Sequence, residues 1–257
     1  MNIRRYLSTA ALSLALALTL GGCNAKTDEL DIADIYNTRP AVVRQVDYKK
    51  KSIAFIVDTS GSMNNRIKFQ GKSIPKLVAA KESLEDVLKI YDKHHKKHKN
   101  VEVGLFYFKN PVTVTKLHPV SSFNYSTLSK KLHSLYAQSD TPLGVSLAYA
   151  ERELDKTATG EKNIILLTDG MSNSGRNPVD VWKSIIATNR AIGDVQTNLS
   201  IVAYHTKSDY FKPLKSLGVT IYDAEDPTKL KEVLRVLTFK SLELPEPAKS
   251  YSPTTTP

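Results

Sequence analysis

Three short stretches carry the residues with the most pointed chemistry: Asp58-Thr59-Ser60-Gly61-Ser62-Met63, Ser139-Asp140-Thr141-Pro142-Leu143-Gly144 and Thr168-Asp169-Gly170. All of them offer oxygen. Ser60 and Ser62 are two apart, and a tight turn through Gly61 can aim both hydroxyls at one point. A hard divalent cation such as Mg2+ takes about six oxygens at roughly 2.1 Å and keeps several waters. Hydroxyls are weak, neutral ligands. They leave such an ion electrophilic and open to a carboxylate from another molecule. The bland alternative is that Ser60 and Ser62 cap the segment that follows them, and that Asp169 caps a helix or a turn.

Positioning these groups is the task of an alternating pattern. Residues 52–58 form a continuous apolar run that ends in an acid and a turn. Leu77, Leu84, Leu88 and Tyr91 fall on one face of a helix predicted over residues 75–95. Strands are predicted at 101–108, 112–117, 163–168, 199–204 and 219–222, with 112–117 as a hairpin partner of the strand before it. Helices are predicted near 125–136, 143–154, 178–192, 210–217 and 227–239. Short apolar strands separated by helices imply a parallel sheet covered on both faces. The expected fold class is therefore α/β: a doubly wound, mostly parallel six-stranded sheet with one antiparallel edge strand, a Rossmann-like arrangement. Such sheets bind ligands beyond the carboxyl ends of the strands, where the winding reverses. Asp58 and Asp169 both fall at such ends.

With its residues in that frame, the chain resembles a von Willebrand factor type A domain with a metal-ion-dependent adhesion site. The resemblance covers residues 50–242, and the pattern Asp-x-Ser-x-Ser, then Thr, then Asp is matched at Asp58, Ser60, Ser62, Thr141 and Asp169. It implies Ser60 and Ser62 as direct ligands of Mg2+, Mn2+ or Ca2+. Thr141 would bind directly or through water, and Asp58 and Asp169 would balance charge and hold water. A protein partner would supply an acidic residue to the ion. Asp140 adds a further acid beside Thr141.

The chain has 257 residues, 41% hydrophobic and 24% charged, enough for one core plus tails. Cys23 is the one cysteine, which excludes a disulfide framework and any multi-cysteine metal cluster. Arg4 and Arg5 precede an apolar run over residues 10–20, which ends in Leu20-Gly21-Gly22-Cys23. The run is too short to span a bilayer. It resembles a bacterial lipoprotein signal, so residues 1–22 are expected to be cleaved and Cys23 to carry lipid. Several acyl chains, at about 0.8 kcal/mol per CH2, would hold the protein on a membrane. Residues 23–49 are read as a tether and 243–257, rich in Pro and Thr, as a disordered tail. The resemblance places the protein in the cell envelope. Asn24 after the lipidated cysteine points to the outer membrane where a cell has two.

The formal net charge is +10. Much of it sits in Lys93-His94-His95-Lys96-Lys97-His98-Lys99. His94 and His98 have the spacing of a helical metal pair, but the lysines around them repel a cation, and a solvated helix end is expected instead. This end should face the membrane, whose anionic head groups attract it. No aromatic-basic nucleic-acid motif occurs, so no nucleic-acid partner is expected. Trp182 is expected in the core, and His205 on the same face as the site. Loops 64–71, 171–177 and 205–210 should surround the ion. The sequence does not fix the oligomeric state.

No Gly-x-Ser-x-Gly elbow or phosphate-binding loop is present. The chain is thus read as a binding protein and not an enzyme. The alternatives are a metal-independent structural module of an envelope assembly and, after it, a metal-assisted hydrolase.

Overall fold

The computed structural model describes residues 45–110, 113–138 and 140–244. The leader, Cys23, most of the tether and, past Glu243 and Leu244, the Pro/Thr-rich tail lie outside the described residues.

The first strand, β1 (Asp47–Val57), is the centre of the sheet. Its last seven residues are all buried, and the five from Ile53 to Val57 read as an unbroken apolar run. Ile53, Phe55 and Val57 face one core while Ala54 and Ile56 face the other. A hairpin follows, β2 (Arg66–Phe69) with β3 (Lys72–Pro75), and then the long helix α1 (Lys76–His98). Next come β4 (Val101–Asn110), β5 (Thr113–Ser122), α2 (Tyr125–His133), α3 (Leu143–Leu154) and β6 (Thr159–Thr168). The chain ends with α4 (Pro178–Ile192), β7 (Thr197–Tyr204), α5 (Lys212–Lys215), β8 (Thr220–Ala224) and α6 (Pro227–Ser241).

The main sheet has six strands in the order β5-β4-β1-β6-β7-β8. All neighbours are parallel except β4 and β5. One core, under α1, α2 and α6, includes Leu84, Leu128, Leu132 and Leu230; the other, under α3, α4 and α5, includes Leu147, Trp182, Ile185 and Leu214. The doubly wound α/β arrangement with an antiparallel edge is as the sequence implies, and Trp182 is a core residue.

Two differences are informative. Residues 66–75 form the β2–β3 hairpin, where a loop was expected over 64–71. Its turn is Gln70-Gly71, with φ of 49° and 75°. Two left-handed residues in sequence match the twist of a two-residue hairpin. The edge strand also runs on past Leu117 to Ser122, through Pro119. A proline halts a strand prediction, but an edge strand has one side with no ladder to feed, so the missing N–H is tolerated there.

The site lies where the winding reverses. The chain leaves β1 for β4 on one side, and later comes back to β6 on the other. The carboxyl ends of β1 and β6 are therefore adjacent, with loops diverging to opposite faces.

Candidate metal centre

Register alone places the two aspartates together. Val57 of β1 pairs with Leu167 of β6, so the next step aligns Asp58 with Thr168 and sets Asp169 just beyond. The Asp58 amide donates to the Leu167 carbonyl at 2.9 Å, extending the ladder to the last residue before the turn.

The carboxylate of Asp58 is fully buried. Its Oδ1 accepts the Ser60 amide at 2.7 Å, and its Oδ2 accepts the Thr168 hydroxyl at 2.6 Å. The first bond closes an Asx turn that bends the chain back over the strand end. Thr59 points the other way and donates to the Phe108 carbonyl at 2.7 Å, which pins the loop to β4. The bend brings the Ser60 and Ser62 hydroxyl oxygens to 2.9 Å from each other. Ser62 in turn donates to Asp169 Oδ1 at 2.7 Å. Ser60 starts the short 3-10 turn at Gly61–Asn64 but makes no side-chain cap there. Its hydroxyl is spent inside the cluster, so the capping alternative does not describe it.

Thr141 is reached differently. It is buried in the loop before α3, and Gln138 of that loop donates its amide to the Thr59 carbonyl at 2.8 Å. The Thr141 amide donates to Asn173 Oδ1 at 2.8 Å, and its carbonyl accepts from the Ser172 hydroxyl at 3.1 Å. The loop after β6 thus clamps the Thr141 backbone. Gly144 allows the clamp: a Cβ there would stand 2.1 Å from the Arg176 carbonyl oxygen. Asp58, Ser60, Ser62 and Asp169 form one hydrogen-bonded cluster, and Thr141 sits on the loop held against it.

Sequence reasoning gave no individual role to four contributors: Thr168, Ser172 and Asn173, which fall in stretches it placed at the site, and Lys76, which it did not place there. The last is the most consequential. Its ammonium lies 2.7 Å from Asp169 Oδ2, with both side chains largely shielded from water. A lysine in the first turn of a long helix opposes the helix dipole, and that misplacement was the one signal available.

The electrostatics follow from burial. Loss of water pushes the Asp58 carboxyl up to about 6; the Ser60 and Thr168 hydrogen bonds oppose this, and the nearby Asp169 charge adds to it. His205 sits in a left-handed conformation at φ 52°. Burial lowers its pKa, and the neighbouring Lys76 charge lowers it further.

The donor set fits a hard divalent ion. It offers carboxylates and hydroxyls without nitrogen or sulfur, which selects Mg2+, Mn2+ or Ca2+ over softer metals. Among the described residues no group of three or more His, Cys, Asp or Glu is arranged to hold a metal. His94 and His98 stack with ring centroids 4.4 Å apart, and His94 Nε2 engages Asn100 Oδ1 at 3.0 Å. They lie toward the far end of α1, 18 and 22 residues or ~27–33 Å from Lys76.

Residues 53–172 match the family model described as von Willebrand factor type A domain. No curated protein matches the chain. Several solved structures share the fold. A von Willebrand factor type A protein from Catenulispora acidiphila is 23% identical, with a TM-score of 0.57 over 75% of this chain and 43% of that one. The PilB minor pilin from Streptococcus sanguinis is 14% identical, with a TM-score of 0.57 over 80% of this chain and 64% of its own. The vWF domain of the type V pili tip protein Mfa5 from Porphyromonas gingivalis is 12% identical, with a TM-score of 0.59 over 78% and 98%. The chain spans less than two thirds of the first two. At these identities the likeness is one of fold. Together with the matched residues 53–172, it supports a von Willebrand factor type A domain built on this Rossmann-like sheet.

Proposed function

We propose that this chain is a lipid-anchored protein of the cell envelope whose domain binds a partner protein through a divalent cation. The observation that supports it most is the meeting of Ser60, Ser62 and Asp169 oxygens beside buried Asp58 at the switch point of the sheet. Ser60 and Ser62 would ligate the ion, with Thr141 from the neighbouring loop, while Asp58 and Asp169 would balance its charge and orient bound water. When bound, the ion supplies an electrophilic position that an acidic side chain of the partner can complete. The protein's part is to hold its own oxygens still. Thr168 and the Ser60 amide fix Asp58, and Asn173 and Ser172 fix the Thr141 loop.

The rim suits a protein ligand. Met171, two residues after Asp169, is 55% exposed, and Tyr210 on the neighbouring loop is 45% exposed. Large apolar side chains around a polar centre are typical interface anchors. Among the chains sharing this fold are a minor pilin and a pili tip protein. Those names support an envelope setting, as does the resemblance of residues 1–23 to a bacterial lipoprotein signal. Among the described residues no helix is long and apolar enough to cross a membrane.

One observation favours a second reading. The Lys76–Asp169 ion pair already neutralises one carboxylate, as a metal-independent structural module would need. Calorimetry with Mg2+, and partner capture from envelope extracts in Mg2+ and in EDTA, separate the two. Asp58→Ala should abolish Mg2+ binding and ion-dependent capture with the fold retained. Equal capture in EDTA and Mg2+ by wild type and variant would rule out the ion-mediated reading.

A further inference from the structure

We propose that Lys76 is a built-in competitor of the divalent cation, so that occupation of the site requires its ammonium to leave Asp169. The proposal rests on the metal reading above and deepens it into a statement about regulation.

The geometry carries it. Asp169 has two carboxylate oxygens and both are taken: Oδ1 by the Ser62 hydroxyl at 2.7 Å and Oδ2 by Lys76 Nζ at 2.7 Å. Ser62 is also the link to Ser60, at 2.9 Å. The ammonium therefore stands on the same carboxylate as one of the two hydroxyls offered to the ion. A dication brought to those oxygens meets a positive charge that water screens poorly, because the lysine side chain is only 13% exposed and that of Asp169 is 0% exposed.

Lysine suits the role of a resident that can depart. Its charge is a compact point on a flexible four-carbon stem, without the fixed fork that would commit an arginine to one geometry. Its backbone is firmly placed, since the Lys76 amide donates to the Asn65 carbonyl at 3.0 Å at the base of the β2–β3 hairpin. Only the stem has to swing. The place it starts from is locally unfavourable, because it is the first residue of α1, follows Pro75, and has no acid in the first turn to offset it. What holds the ammonium inward is Asp169.

Two consequences follow. The metal-free protein carries its own counter-charge and tolerates two neighbouring buried carboxylates. The ion, in turn, binds by exchange against Lys76 and is held more weakly than its oxygen donors alone would hold it.

The test is titration of Mg2+ into wild type, Lys76→Met and Lys76→Gln by calorimetry, with thermal melts in EDTA. Expected are about tenfold tighter Mg2+ binding in both variants and a lower melting temperature than wild type in EDTA. Nuclear magnetic resonance of the wild-type lysine ammonium groups gives a readout that needs no variant to fold. The Lys76 1H–15N signal, assigned by its absence from Lys76→Met, should be visible in EDTA and vanish at saturating Mg2+. Unchanged or weaker affinity in both variants, or an ammonium signal that persists at saturation, overturns the proposal. If no form binds Mg2+, and Asp58→Ala is indistinguishable from wild type, the metal reading itself fails and takes this one with it.

Discussion

Thr168 reaches across from the end of β6 and donates its hydroxyl to Asp58 Oδ2 at the end of β1, at 2.6 Å. This one bond joins the two central strands at the floor of the site and fixes which way the buried carboxylate points. Partners of this kind hold metal-site carboxylates in register, and losing one costs roughly 10–100-fold in affinity. Thr168→Val keeps the shape and removes the donor. Its Mg2+ affinity, read by calorimetry, should fall by that factor while the far-ultraviolet spectrum stays the same. An unchanged affinity would show that the Ser60 amide suffices to hold Asp58.

Asp58 also poses a cost to the metal-free fold. Burial raises its pKa to about 6, and the Asp169 charge adds to the effect, so its ionised form is disfavoured in the folded chain. An asparagine fits the same partners. Its oxygen can accept the Ser60 amide, and its NH2 can donate to Thr168, whose hydroxyl already has the Gly170 carbonyl at 3.1 Å as a second acceptor. Asp58→Asn should therefore be more stable than wild type in EDTA near pH 7.5, by ~1–3 kcal/mol. It should gain nothing from added Mg2+. Chemical denaturation with and without the ion measures both, and a less stable variant in EDTA would show the charge to be compensated.

Away from the site, Glu151 makes stability depend on pH. It is fully buried in α3, where loss of water and then the Asp155 charge push its carboxyl up to about 7, against a hydrogen bond from Asn189 Nδ2 at 2.7 Å. A carboxyl raised in the fold is favoured in its neutral form. Its full contribution is present below the ordinary value of 4.5 and is lost as pH rises through about 7. Glu151→Gln should match wild type near pH 4.5 and exceed it by ~1–3 kcal/mol above pH 8. Denaturation curves at both pH values decide it; parallel profiles would show that a neighbouring cation compensates Glu151.

Gly144 is a spacer between two loops. With a Cβ 2.1 Å from the Arg176 carbonyl oxygen, Gly144→Ala has to drive the loop after β6 away from α3. The Asn173 and Ser172 bonds to Thr141 are the first to suffer. Expected are a loss of ~1–3 kcal/mol, as for overpacking generally, and weaker Mg2+ binding. Wild-type affinity in this variant would mean that Thr141 does not depend on its clamp.

The parts of the fold and site that could be read in advance share a physical cause. Asp58 and Asp169 stand out because a buried strand makes an apolar run, and an acid at the end of such a run is a visible break. Helices with a strong local signal were also legible, such as α4, which starts at Pro178 with Asn177 capping the Val179 amide and ends at Gly193 with φ 66°. The β2–β3 hairpin was missed because four-residue strands with exposed lysines carry little pattern, and Gln-Gly is a weak turn signal. The roles of Lys76 and Asn173 were missed for another reason. Their partners, Asp169 and Thr141, are distant in the chain, and only the closed sheet shows that they meet. Cys23 and the leader lie outside the described residues.

At the opposite end of the sheet, Lys51 near the start of β1 holds Glu243, just past α6, at 2.6 Å and Glu161 of β6 at 3.0 Å. The way into the domain and the way out are thus stapled side by side, seven residues of strand (~23 Å) from Asp58. That makes the domain a cassette. It can be spliced into a host loop, or carry fusions at both ends, with the rim around Asp58 left clear, and a load drawn through the two junctions enters and leaves at the end of the sheet opposite Asp58.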